Sequence, residues 1–355
     1  MKNMNAKIPA GLLDATRLVC GGRFMEATAA LQRAWRGYVR SRKEAANNDL
    51  FAAAAPATRT PRHDGRFVTG AYTNQTGTRD YKTYIPALYR GQALPLVVML
   101  HGCKQNPDDF AAATRMNALA EEQGFLVVYP KQARKANVSH CWNWFQSQDQ
   151  QRDNGEPSLI AGITREVIDT YQVDPRRVYV AGLSAGGAMA AIMGATYPDL
   201  YSAVGIHSGL AYAAARDVPS AFAAMRGEGP TPPSRESRHD TARGVPTIVF
   251  HGDSDATVHP SNGEQVIAQA AAPSRENARA NVSAHGDAAV ESGEARGRAY
   301  TQTTYRDAAG KSVMEHWLVH GTGHAWSGGS AAGSYSDPKG PDASREMLRF
   351  FLQHP

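Results

Sequence analysis

The chain has 355 residues, 42% of them hydrophobic and 20% charged, with a formal net charge of +5. That balance belongs to a globular protein with room for a sizeable core. The charge is lopsided: residues 1–66 carry 12 Lys and Arg against 5 Asp and Glu, which leaves the remaining 289 residues at −2 and implies no basic face for nucleic acid there.

No apolar run reaches the roughly 18 residues of a membrane span, and Asp14 and Arg17 interrupt the N-terminus where a secretory leader needs an unbroken apolar core. The Arg-rich, acid-poor start has the composition of an organelle transit peptide, although a plain helix accounts for it more simply. Leu12, Val19, Phe24, Ala27, Leu31, Trp35, Tyr38 and Val39 keep a helical spacing on either side of Gly21-Gly22. This predicts a basic amphipathic helical hairpin over residues 1–45, its apolar stripe docked and its arginines in water, followed by a linker over 46–64.

From residue 65 to 355 strand-like runs (66–72, 81–86, 94–100, 125–129, 177–181, 203–207, 246–250, 316–319) alternate with helical patterns at 109–123, 158–171, 185–197, 261–272 and 342–353. The alternation predicts an α/β domain: a mostly parallel sheet with helices on both faces and an antiparallel edge from the first two strands. Residues 211–244 and 273–298, rich in Arg and Gly and (in the first) Pro, read as excursions over the surface.

Between a strand pattern ending in Val178-Tyr179-Val180 and a helical pattern opening at Ala185 stands VAGLSAGG, which places Ser184 on a tight strand-to-helix turn. Gly182 and Gly186 suit such a turn because side chains there would strike the neighbouring strand and helix. A serine needs a base to attack a carbonyl, the base needs an acid to orient it, and the oxyanion needs donors. In this fold the acid follows the serine and the base comes last. Asp253 and Asp255, in the loop after the strand of VPTIVFHGDSDATVHP, both qualify as the acid; motif logic and the family likeness below favour Asp255 as catalytic and Asp253 as a turn former. Of the histidines that follow, His259 is too close in sequence, His285 lies in an excursion, His354 is near the end, and His316 and His320 flank a strand. His324, in the glycine-rich GTGHAWSGG, is the expected base. The oxyanion donors are expected to be the backbone amides of Ala185 and of Cys103, the latter in HGCKQ after the strand LPLVVML. His101 reads as a structural histidine at a strand end. Trp142, Trp144, Phe145 and Trp326 fall near these loops, and Trp326, with Trp144, is the reading for an apolar substrate contact. Of the three cysteines, Cys20, Cys103 and Cys141, at most one pair can bridge, and Cys103 with Cys141 is either that bridge or two reduced thiols.

With HGCKQNPDDF, CWNWF, RVYVAGLSAGGAMA, FHGDSDATVHP and GTGHAWSGG in this order, the chain resembles the polyhydroxybutyrate-depolymerase type of serine esterase, a group that includes feruloyl and acetylxylan esterases. The resemblance implies an α/β-hydrolase fold and ester hydrolysis through an acyl-enzyme, with Ser184, Asp255 and His324 as triad and Cys103 and Ala185 as oxyanion amides. It also implies a Cys103–Cys141 disulfide and neither metal nor organic cofactor. The implied substrates are hydroxyalkanoate polyesters or their oligomers, or else feruloyl or acetylxylan esters. A hydrolase-like protein with little turnover, brought by residues 1–45 to a polymer granule or an anionic surface, is the competing reading. Location is divided: the N-terminus shows no leader, which favours the cytoplasm, whereas the resemblance favours an extracellular protein.

Overall fold

The protein was analysed as a computed structural model that describes residues 65–229, 244–271 and 288–355. The expected helical hairpin of 1–45, the linker of 46–64 and Cys20 lie outside the described residues.

In chain order the elements are β1 (Arg66–Asn74), β2 (Gly77–Ile85), β3 (Leu96–Leu100), α1 (Pro107–Thr114), α2 (Met116–Gln123), β4 (Leu126–Pro130), α3 (Gly155–Tyr171), β5 (Val178–Leu183), α4 (Ala185–Thr196), β6 (Ala203–His207), α5 (Val218–Met225), β7 (Thr247–Gly252) and α6 (Ser261–Ala271). They continue with β8 (Ala288–Ala295), β9 (Arg298–Arg306), β10 (Ser312–Val319), β11 (Trp326–Ser327), β12 (Ser336–Asp337) and α7 (Ala343–Leu352). Ten strands form one sheet in the order β1-β2-β4-β3-β5-β6-β7-β10-β9-β8. The run from β4 to β10 is parallel, and antiparallel pairs close it at both edges.

The central strands are apolar on both faces because both are covered. In β3, Leu96, Val98 and Leu100 pack with α3 and α4 through Ile160 and Met189. The alternate residues Val97 and Met99 join Phe110, Leu119 and Phe351 from α1, α2 and α7. This is the α/β architecture that the alternating patterns predict.

Three local differences have physical causes. The single helix expected over 109–123 is two helices, broken where Arg115 takes the left-handed conformation (φ 55°) and at once caps α1 and precedes α2. The excursion expected over 211–244 contains α5, which opens with an Asp217–Ser220 capping box and a proline in its first turn. The one expected over 273–298 ends in β8, a largely exposed edge strand of Ala, Val, Glu, Ser and Gly, whose period-2 signal is weak because neither face is buried.

Candidate active site

Parallel strands end at the same edge of the sheet, so the loops leaving β3, β5, β7 and β10 share one rim. Ser184 stands where β5 turns into α4, with φ 58° and ψ −120°, a conformation that an L-residue adopts only when its surroundings force it. The forcing is visible. A Cβ on Gly186 would overlap the Leu100 carbonyl oxygen at the end of β3 and lie 2.6 Å from that of His101, while one on Gly182 would strike the backbone of Gly186. The strand and helix are therefore pressed together, and the turn between them is held tight by the Ser184 amide, which donates to His207 O at 2.9 Å.

β7 and β10 are parallel neighbours although the chain between them is long. Their following loops meet, and His324 Nδ1 donates to Asp255 Oδ2 at 2.7 Å. The other carboxylate oxygen, Oδ1, accepts the amides of Thr257 and Val258, both at 2.9 Å. Burial by itself would raise the Asp255 pKa, but the His324 hydrogen bond and charge and the two amides outweigh it, and the carboxyl is held below its usual range. The arrangement leaves His324 Nε2 without a hydrogen bond among the described residues, as a base requires.

Asp253 is tied elsewhere. It accepts His320 Nδ1 at 2.9 Å, the Gly321 amide at 2.7 Å and the Ser254 hydroxyl at 2.9 Å, pinning one loop to the next. His101 stands at the start of the loop after β3, its Nδ1 donating to Gly102 O and its Nε2 accepting the Gln132 amide, and burial pulls its pKa down to about 4.

Cys103 and Cys141 form a disulfide with their Cα atoms 4.2 Å apart, which ties the loop after β3 to the loop after β4. The Cys103 N–H meets no acceptor among the described residues, and that of Ala185, first in α4, lacks an intrahelical one. Gly102 N donates to Gln105 Oε1 at 2.9 Å, and Gln105 in turn donates to Asp109, so the donor loop is braced from below as well.

The tryptophans are not where the sequence reading sets them. Trp326 is fully buried, stacked on His207 at 5.0 Å, edge-on to Phe110, and donating through Nε1 to Ser344 Oγ. Trp144 is 6% exposed and belongs to the opposite core. Both pack in the interior rather than line an open surface. The ring set against His324 is that of Tyr335, 6.4 Å away between centroids and 41% exposed. Tyr335 lies in a serine- and glycine-rich stretch without periodicity, so only the fold brings it to the rim.

Two further histidines stand behind Ser184, Asp255 and His324. His207 accepts the Ser327 amide, and His251 donates from Nε2 to Val258 O at 2.8 Å while lying 3.6 Å from Asp255 Oδ2. His207 is the last residue of a buried strand and His251 the last but one, in VGIH and VFHG, the signal by which the sequence marks them.

The family model described as esterase PHB depolymerase matches residues 79–297. The chain is 34% identical over 241 residues to poly(3-hydroxyalkanoate) depolymerase C of Paucimonas lemoignei, covering 65% of this chain and 54% of that one, so it spans about half of that relative's length. It is 29% identical over 297 residues to feruloyl esterase B of Neurospora crassa, covering 80% and 91%. Among solved structures it superposes on an acetyl xylan esterase from Aspergillus awamori with a TM-score of 0.61 at 18% identity, over 81% of this chain and 99% of that one, a likeness of fold. The chain belongs to the esterase PHB depolymerase family.

Proposed function

We propose that the protein is a serine esterase that cleaves carboxylic esters through an acyl-enzyme, acting on hydroxyalkanoate polyesters or their oligomers. The observation that carries this reading is the 2.7 Å His324–Asp255 hydrogen bond on the same rim as a serine held at φ 58°. In this reading His324 Nε2 takes the Ser184 proton as Oγ attacks the ester carbonyl, and Asp255 stabilises the imidazolium that forms. The amides of Cys103 and Ala185 hold the oxyanion. The protonated His324 then gives its proton to the leaving alcohol, and a water deprotonated by the same nitrogen releases the acid from Ser184.

The polyester reading draws on the 34% identity to a poly(3-hydroxyalkanoate) depolymerase. Feruloyl or acetylxylan esters are the second reading, favoured by the alignment over 91% of a feruloyl esterase. Hydrolysis of nitrophenyl esters from acetate to longer acyl chains, beside a feruloyl ester and a 3-hydroxybutyrate oligomer, separates the two. Ser184→Ala should lower kcat by at least about 10⁴-fold on whichever ester is turned over. Wild-type rates in that variant would contradict the mechanism, and no turnover of any ester would favour the granule-binding reading.

A further inference from the structure

Beside the oxyanion loop lies an open cavity of about 490 Å³ whose wall includes Lys131, Arg134, Lys135, His140, Gln132 and Asp80. Its volume is that of a small-molecule site. Its charge is one-sided. Asp80 is the one acid in that wall and sits 3.7 Å from Lys131, while Arg134 and Lys135 enter no ion pair among the described residues. Behind Gln132 two buried acids, Glu156 and Asp149, share one cation, Arg79, which lies 3.2 Å from Glu156, so at most one buried negative charge stands against Arg134 and Lys135. This cluster is not an expression of a generally basic body, because residues 67–355 sum to −2.

The cavity is also joined to the catalytic rim. Lys131, Arg134 and Lys135 follow β4, which is parallel to β3, so they leave the sheet at the same edge as the oxyanion loop. Gln132 donates its amide to His101 Nε2 and its side chain to Cys141 O at 2.8 Å. His140 precedes Cys141, whose Cα is 4.2 Å from that of Cys103, so the His140 Cα lies at most about 8 Å from the backbone expected to hold the oxyanion.

We propose that this cavity is a carboxylate subsite that holds the acid end of a hydroxyacid oligoester while an ester bond of the same molecule reaches Ser184. The chemistry of the site selects that ligand class. Arg134 offers a planar fork for a carboxylate, with Lys135 as a second point charge. Every hydrolysis of an oligoester leaves a carboxylate on one product, and the acid end of the chain belongs to the leaving alcohol. Water supplies OH to the acyl group and H to that alcohol, and the released hydroxyacid departs with its carboxylate in the basic cavity. The proposal rests on the esterase reading, so its test separates the two.

Binding is measured by calorimetry on Ser184→Ala protein, which cannot turn its ligand over, using a 3-hydroxybutyrate trimer as the free acid and as its methyl ester. The acid should bind about tenfold tighter at low salt, and the preference should shrink in 0.5 M NaCl. Adding Arg134→Gln and Lys135→Gln should make acid and methyl ester bind alike, with an unchanged thermal midpoint showing that the fold is intact. Equal binding of the two forms, or a preference that survives the double substitution, overturns the subsite. Wild-type protein that hydrolyses neither trimer, while Ser184→Ala keeps the preference, sinks the esterase reading and leaves the carboxylate site standing.

Discussion

His324 Nδ1 lies 2.7 Å from Asp255 Oδ2, and four residues further back His320 Nδ1 lies 2.9 Å from Asp253 Oδ2. Two Asp–His pairs thus bridge the same two loops, one buried at the carboxylate and the other about one-third exposed. The inner pair is expected to work in catalysis and the outer one to fasten the loops. Asp255→Asn should therefore lower kcat about 10⁴-fold with little change in KM, since the imidazole loses the carboxylate that orients it. Asp253→Asn should leave kcat within about threefold, because exposed pairs contribute little. Steady-state kinetics on the two variants checks this, and equal losses would erase the distinction.

The backbone at Ser184 supplies a stability prediction opposite in sign to the usual one. An L-residue at φ 58° and ψ −120° is strained, and glycine is not. Ser184→Gly should be more stable than Ser184→Ala by roughly 1 to 2 kcal/mol, although neither should turn over an ester. Denaturant titration of the two proteins reads the difference directly, and equal midpoints would mean that the turn stores no strain.

The Cys103–Cys141 disulfide closes a loop with a sequence separation of 38 residues. By the chain-entropy argument such a closure contributes about 4 kcal/mol, so Cys103→Ser with Cys141→Ser should lower the thermal midpoint by roughly 10 °C. As the bond also anchors the loop that carries the Cys103 amide, kcat should fall more than KM rises. Calorimetry and kinetics on the double variant test both parts.

Stability should fall as the pH drops from neutral toward 4. Burial lowers the pKa of His101, His316 and His354 to about 4 and of His207 to about 3, so these rings stay neutral in the folded protein while the unfolded chain takes up protons below about 6.5. Glu156 works the other way: burial and the Asp149 charge raise it to about 7, and its contribution grows as the pH falls from 7 toward its unfolded value. Four histidines outweigh one carboxyl, and the net loss between pH 6.5 and 4.5 should reach several kcal/mol. Thermal midpoints across that range check the sign.

Much of the candidate site's geometry was legible because it is tied to chain order and turn residues. Gly182, Ser184 and Gly186 announce their turn locally, and Asp255 and His324 follow buried strands whose apolar runs are unmistakable. Trp326 was misleading for the same reason that it is informative: a tryptophan two residues beyond the base suggests a substrate contact, yet only the three-dimensional fold decides that it stacks on His207 and caps the core. Tyr335 was invisible since no periodicity brings residue 335 to His324. Tyr335→Ala should raise KM for longer acyl chains severalfold while sparing acetate, whereas Trp326→Ala should cost about 3 to 5 kcal/mol of stability through the cavity it leaves. Reversed outcomes would restore Trp326 to the substrate.

The proposed mechanism requires an acyl group on Ser184, and that intermediate can be weighed. Wild-type protein mixed with a nitrophenyl ester, quenched in acid within a turnover and digested, should show the acyl mass on the peptide bearing Ser184, and Ser184→Ala should show neither adduct nor turnover. Turnover that persists in Ser184→Ala with no acylated peptide would contradict the account.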